Sequence, residues 1–217
     1  MEKLLIIGAS GFGRETAWLV ERINQYAETP QWLLLGFIDD NVKMHGEMVN
    51  AYPVLGGREV LEQYHDAYVV CAIGSAKIRR KVVEGLRQQY PSVRFATLID
   101  PSVIRSNLIE IGEGTIICAH TILTVNIQIG CHVIINLDCT VGHDAIVHDY
   151  VTMYPSVNVS GATEIGENTE LGTGMQIIQG VKIGTHAVIG AGAVVIRDIP
   201  DKCTAVGSPA KPIKFFE

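Results

Sequence analysis

The chain has 217 residues, of which 47% are hydrophobic, and it carries a formal net charge of −6. This acidic balance, without any block of lysine and arginine, argues against a nucleic-acid partner. The apolar run at the N-terminus is too short for a signal peptide or a membrane span, so we expect a cytoplasmic protein. The five cysteines form no CxxC pair, which predicts reduced thiols.

The first 95 residues alternate between predicted strands and helices. An apolar strand, "KLLIIG", leads into the glycine turn "GASGFG" and then into an amphipathic helix. Two further apolar strands, "WLLLGFIDD" and "AYVVCAIGS", end in polar or small residues, and a helical segment follows the second of them. The order predicts a Rossmann-like βαβ domain with a short parallel sheet over residues 1–95.

The carboxyl ends of these strands predict a ligand site. In an open parallel sheet, ligands bind just beyond those ends, and the free N–H groups of a helix that follows a glycine turn suit a phosphate. The turn has GxxGxG spacing and not the dinucleotide GxGxxG, so a nicotinamide cofactor is poorly supported. The alternative is that the glycines only make a tight turn.

The second half of the chain is periodic. An apolar residue occupies every sixth position from Ile111 to Val195, and glycine follows it at positions 112, 130, 142, 166, 172, 184 and 190. This period predicts a parallel β-helix in which each hexad makes a strand and a corner, and three hexads make one coil. The apolar residues stack inside at about 4.8 Å spacing, and glycine is expected to permit the sharp corners. We place this domain, with a short C-terminal tail, at residues 96–217.

The repeat resembles that of the left-handed β-helix acyltransferases, and the resemblance supplies the handedness, because parallel crossovers are usually right-handed. With an α/β domain ahead of the repeat, the whole chain is similar to sugar acyltransferases of the sialic acid O-acetyltransferase and UDP-4-amino-sugar N-acetyltransferase type. In the latter branch the N-terminal domain holds the acceptor nucleotide. The positions implied here are Gly8, Ser10, Gly11, Phe12, Gly13, Asp39, Asp40, Gly74 and Ser75. Phe12 departs from the family, which has a histidine there.

The segment "VGHDAIVH" contains the main catalytic candidates. The resemblance implies that His143 is the general base, that Asp144 orients it, and that Asn136 is a further site residue. An imidazole can accept a proton near neutral pH, and a neighbouring carboxylate fixes its tautomer. Gly161 lies eighteen residues after His143, so its N–H is expected one coil away, where it could contact the thioester carbonyl.

Other interpretations of the histidines are open. His143 and His148 have the spacing of the zinc carbonic anhydrases that share this fold, but Asn107 stands where a third ligand is expected, so we predict no metal. A non-catalytic scaffold would be expected to lack an intact pair of His143 and Asp144. His148 is expected to be structural, and His120, His132 and His186 to lie on the surface of the coil. The amino-sugar branch has a second histidine where this chain has Thr152.

The resemblance implies acetyl-CoA as the donor and a homotrimer as the assembly. The predicted CoA contacts are Gly161, Gly190, Ala191, Gly192, Ala193, Arg197, Lys202 and Lys211. We predict transfer of an acetyl group to the amine of a UDP-linked amino sugar, because of the glycine turn and the two aspartates. O-acetylation of sialic acid or another sugar hydroxyl is the alternative.

Overall fold

A computed structural model describes residues 1–216 of the chain. The N-terminal part has a six-stranded sheet in the order β3-β4-β2-β1-β5-β6, which is parallel except for the β3–β4 pair. Its strands are β1 (Glu2–Ile7), β2 (Trp32–Ile38), β3 (Met48–Val49), β4 (Tyr52–Gly56), β5 (Tyr68–Cys71) and β6 (Arg94–Phe95). Its helices are α1 (Gly11–Tyr26) and α2 (Ala76–Gln89), with 3₁₀ turns at Val42–Met44 and Arg58–Glu62.

The glycine turn between β1 and α1 is required by close packing. Gly8 has a positive φ of 97°, and a Cβ atom at Gly13 would lie 1.9 Å from the Gly8 carbonyl oxygen. Only glycine therefore fits where α1 crosses the end of β1. The helix then buries Ala17, Val20 and Ile23 against the sheet, at the spacing the sequence predicts.

The second half winds into a three-sided parallel β-helix. Face 1 contains β7 (Leu98–Ile99), β10 (Ile116–Ile117), β13 (Ile134–Ile135), β16 (Thr152–Met153), β19 (Glu170–Leu171), β22 (Val188–Ile189), β24 (Cys203–Val206) and the antiparallel β25 (Lys211–Phe215). Face 2 contains β8 (Ile104–Arg105), β11 (Ile122–Leu123), β14 (Thr140–Val141), β17 (Asn158–Val159), β20 (Gln176–Ile177) and β23 (Val194–Val195). Face 3 contains β9 (Ile109–Ile111), β12 (Ile127–Ile129), β15 (Ile146–Val147), β18 (Glu164–Ile165) and β21 (Lys182–Ile183).

Successive rungs pair eighteen residues apart, as predicted; Ile117, for example, lies beside Ile135. The apolar residues of the six-residue period form one buried core inside the prism. We call the turn from face 1 to face 2 corner 1–2, and name corners 2–3 and 3–1 in the same way. The predicted boundary at residue 95 remains a prediction; β6 pairs with the N-terminal sheet and β7 with the coil.

The expected reason for the repeated glycines is wrong. Left-handed backbone recurs three residues after most of the inward apolar residues, as at Asn126 and Asp144, whose φ angles are 54° and 60°. The repeated glycines are needed for another reason: a Cβ atom at Gly142 would lie 2.5 Å from the backbone nitrogen of Gly161. They allow adjacent coils to approach, and asparagine, aspartate, histidine or glycine commonly makes the turn itself.

Face 1 supports the N-terminal domain. The outward side chains of Leu98, Ile116 and Ile134 join the apolar cluster beneath α1. An ion pair between Arg22 and the buried Asp100 closes one edge of this contact at 2.6 Å. His132, predicted on the surface, is instead buried and stacked on Tyr150, because α2 covers its corner. Within residues 1–216, no helix is both long and apolar enough to cross a membrane.

Candidate active site

His143 and Asp144 form a hydrogen-bonded pair at corner 2–3. The His143 Nδ1 lies 2.7 Å from the Asp144 carboxylate, and both side chains are about half exposed. Asp144 occupies a left-handed corner position, which aspartate tolerates. This pairing leaves Nε2 as the free nitrogen of the imidazole and holds the ring in one orientation.

Gly161 lies against that free nitrogen, one coil above His143. A Cβ atom at Gly161 would lie 2.5 Å from His143 Nε2, so any side chain there would collide with the ring. Within residues 1–216, the Gly161 N–H has no hydrogen-bond acceptor. The predicted combination of an imidazole and an unpaired backbone donor is therefore present at one place on the surface.

Asn126 belongs to this group and was not identified from the sequence. Its amide nitrogen donates to the Asp144 carboxylate at 3.2 Å from one coil below. Hydrogen bonds from His143 and from Asn126 lower the pKa of the Asp144 carboxyl. The eighteen-residue register was the signal that could have found it, because 126 precedes 144 by eighteen.

Asn136 and the predicted CoA contacts do not all lie beside His143 in one chain. Asn136 is nearly buried at corner 1–2, on the other edge of face 2, and its side-chain oxygen accepts from the Leu137 N–H. Gly190, Ala191, Gly192 and Ala193 follow β22 and lie at that same corner.

The basic residues among the predicted CoA contacts lie still further apart. Arg197 lies at corner 2–3 in the column of His143, three coils or about 14 Å above it. Lys202 lies at corner 3–1 and Lys211 in the terminal strand β25. These eight residues therefore make no single cleft within one chain.

The N-terminal domain has a cleft of about 260 Å³ at the carboxyl edge of its sheet. Of the nine positions implied for the acceptor, Gly8, Ser10, Asp39 and Asp40 line this cleft. Asp39 joins two of the strand ends, because its carboxylate accepts from the Ala9 N–H at 2.9 Å. Gly11 and Gly13 stay in the turn of α1, and Phe12 packs into the core beneath the helix.

Gly74 and Ser75 are directed toward the β-helix. The Gly74 carbonyl accepts from the hydroxyl of Thr152 at 2.7 Å, and Ser75 is the N-cap residue of α2. Thr152 is buried on face 1 and also accepts from Arg79. Thr152 therefore holds the two domains together at the position where the amino-sugar branch has a histidine.

Arg79 is the centre of this contact. Its side chain is fully buried, and burial lowers the pKa of its guanidinium to about 10. The guanidinium donates to carbonyl or hydroxyl oxygens of both domains at 2.7–3.2 Å, namely those of Ile73, Gly74, His132, Tyr150, Val151 and Thr152. No signal in the sequence distinguished this arginine from its neighbours in "KIRRK".

The histidine pair of the zinc interpretation is separated. His143 lies at corner 2–3 and His148 at corner 3–1, where it bonds to Glu164 at 3.1 Å. Within residues 1–216, no three His, Cys, Asp or Glu side chains are grouped to hold a metal ion. The two histidines thus lie at different corners of one chain, and the absence of a metal remains a prediction.

Comparison with known proteins gives matches over both halves of the chain. Residues 3–86 match the PglD N-terminal domain, and residues 162–197 match the bacterial transferase hexapeptide (six repeats). The chain is 33% identical over 205 residues to GDP-perosamine N-acetyltransferase of Escherichia coli O157:H7, which covers 94% of this chain and 82% of that protein.

Two solved structures are similar over nearly the whole chain. A histidine-to-asparagine mutant of perosamine N-acetyltransferase from Caulobacter crescentus, in complex with CoA and GDP-perosamine, has a TM-score of 0.86 at 28% identity over 99% of this chain and 98% of that one. The acetyltransferase domain of PglB from Neisseria gonorrhoeae, in complex with acetyl coenzyme A, has a TM-score of 0.86 at 31% identity over 98% and 99%. These similarities confirm the predicted α/β domain followed by a left-handed β-helix.

Proposed function

Because the chain belongs to the hexapeptide-repeat sugar acyltransferases, we propose that it transfers an acetyl group from acetyl-CoA to the amino group of a nucleotide-linked amino sugar. The observation that carries this proposal is the His143–Asp144 pair with its free nitrogen against Gly161. Two of the relatives named above are perosamine N-acetyltransferases, and the PglB domain binds acetyl coenzyme A, which favours N-acetylation over the O-acetylation alternative.

The proposed reaction is a direct transfer. His143 Nε2 takes a proton from the attacking amine while the amine nitrogen bonds to the thioester carbon. The Gly161 N–H stabilises the developing oxyanion, the carbon–sulfur bond breaks, and the CoA thiolate takes up the proton held by His143, which restores the neutral imidazole. Asp144 stabilises the imidazolium formed on the way. The acetyl-CoA arm would follow the residues predicted for it, with Arg197 placed for a phosphate.

The cleft of the N-terminal domain is the proposed site of the acceptor nucleotide. The N-terminus of α1 offers N–H groups to a diphosphate, and within residues 1–216 the side chain of its N-cap residue Ser10 makes no capping hydrogen bond. The acceptor named for two of the relatives is linked to GDP, whereas the sequence of this chain predicts UDP, so the identity of the nucleobase remains a prediction. A cytoplasmic location also remains a prediction.

A homotrimer would bring these separated parts together. The outward positions of face 2 carry Ile104, Ile122, Thr140, Asn158, Gln176 and Val194, none of them charged. Face 1 is covered by the N-terminal domain, and face 3 carries Glu110, Glu164 and Lys182. Face 2 is therefore the face best suited to self-association.

With face 2 turned toward a threefold axis, corner 2–3 of each chain meets corner 1–2 of the next. His143 and Gly161 would then face Asn136, the Gly190–Ala193 backbone and the acceptor domain of a neighbouring copy. This arrangement accounts for predicted site residues that lie on two corners of one chain.

Replacement of Ile122 by glutamate is expected to dissociate the trimer, because three carboxylates would be brought together in an apolar contact. Ile122 is 39% exposed in the single chain. Analytical ultracentrifugation should show a folded monomer. An acetyl-transfer assay of this monomer should show no activity. Ile146→Glu makes the same change at the equivalent outward position of face 3 and should stay trimeric; a trimeric Ile122→Glu protein would exclude face 2 as the interface.

The proposed activity is tested by mass spectrometry of acetyl transfer to nucleotide-linked amino sugars, with thermal shifts in UDP, GDP, CMP and free sialic acid to identify the acceptor. N-acetylated product with stabilisation by a nucleoside diphosphate is expected. Stabilisation by CMP or sialic acid alone, with O-acetylated product, would instead support the alternative.

A further inference from the structure

We propose that Asn126 is a positioning residue of the active site, which holds the Asp144 carboxylate in line with His143. This inference rests on the proposed function, because it assigns Asn126 a role in proton transfer by His143. The three side chains form a chain of hydrogen bonds: the Asn126 amide to one Asp144 oxygen at 3.2 Å, and the other Asp144 oxygen to His143 Nδ1 at 2.7 Å.

The register of the β-helix fixes this series of hydrogen bonds. Asn126 and Asp144 occupy the same left-handed corner position in successive coils, with φ angles of 54° and 60°. The Asp144 N–H is also tied to the backbone beside Asn126, because it donates to the Val125 carbonyl at 3.1 Å. The two side chains therefore stack at the coil spacing, and few residues other than asparagine combine left-handed tolerance with a neutral donor.

An exposed carboxylate beside a histidine needs such a partner. Asp144 is about half exposed, and without Asn126 its carboxylate could rotate away from the imidazole into solvent. A bond to one oxygen leaves the other directed at Nδ1, which keeps Nε2 as the proton acceptor. Among the described residues, the charged side chains nearest in this column are Arg105, two coils below at the end of β8, and Arg197 and Asp198, three coils above. Asn126 is the residue of the adjacent coil that bonds to Asp144.

The test compares Asn126→Gly, which keeps left-handed tolerance but removes the donor, with Asn126→Asp, which keeps the shape and adds a negative charge. In Asn126→Gly, kcat should fall about 2- to 10-fold with a much smaller change in the KM for acetyl-CoA. In Asn126→Asp the added charge favours the imidazolium, so the acidic limb of the pH–rate profile should move to higher pH. The midpoint of the His143 NMR titration should move with it.

Asn50→Gly and Asn50→Asp are matched controls, because Asn50 is an exposed asparagine with a φ of 54° in the N-terminal domain. They should leave kcat and the pH profile unchanged. If the Asn126 variants behave like these controls in kcat, pH profile and His143 titration, the proposal is overturned. The NMR titration separates the role of Asn126 from the role of His143 as general base. It reports the coupling of Asn126 to His143 even if His143 proves not to be the base.

Discussion

Replacement of His143 by alanine is expected to lower kcat by about 10²- to 10⁴-fold, the range typical for loss of a general base. The imidazole of His143 lies directly against Gly161, and its other nitrogen already bonds to Asp144. Without it the attacking amine has no positioned acceptor for its proton. The fold should stay unchanged, because the side chain is half exposed in the single chain and supports no core contact. We expect the assembly and the affinity for CoA to be retained, because the outward side chains of face 2 and the predicted CoA contacts are not altered.

His148→Ala is the matched control. This histidine belongs to the same repeat but bonds to Glu164 on face 3, away from the pair at corner 2–3. Its removal should leave kcat within about twofold, since it breaks one exposed hydrogen bond. Retention of more than a few per cent of the activity by His143→Ala would rule out the assignment of the base.

Arg79→Met is expected to lower the free energy of unfolding by at least about 3 kcal/mol, because each buried oxygen that loses its donor costs about 1–3 kcal/mol. Methionine fills part of the volume but donates no hydrogen bond. The affected acceptors lie on both sides of the domain contact. Chemical denaturation followed by fluorescence should therefore show a lower midpoint, and the N-terminal domain should become more sensitive to proteolysis.

Arg80→Met is the matched control for the loss of stability expected in Arg79→Met. Arg80 is the next residue of α2, with a side chain 33% exposed and ion pairs to Glu84 and Glu167. Exposed ion pairs contribute only about 0–1 kcal/mol, so this variant should be nearly as stable as the wild type. Equal stability losses in the two variants would show that the buried network at Arg79 does not hold the domains together.

The sequence was sufficient to predict the architecture because every hexad repeats the same pattern of one inward apolar residue. The inward apolar residue and the eighteen-residue register fix every rung, so His143, Asp144 and Gly161 could be placed together before any coordinates were known. The same eighteen-residue register places Asn126 one coil below Asp144.

Other features depended on tertiary contacts that a periodic pattern does not encode. The burial of His132 and the network of Arg79 arise because α2 covers one corner of the coil. The glycines after the apolar residues looked like turn formers, yet the closeness of adjacent coils requires them. Asn136 and His143 are seven residues apart but lie on opposite edges of face 2, because one strand of the prism separates them.

In the proposed trimer, each catalytic site combines His143 of one chain with Asn136 and the acceptor domain of another. Co-expression of His143→Ala and Asn136→Ala chains, each of which we expect to be inactive alone, tests this arrangement by complementation. Random mixed trimers should recover up to about one quarter of the wild-type activity, since one adjacent pair in four then has both intact residues. Mixed trimers no more active than the two parent variants would contradict a site shared between chains.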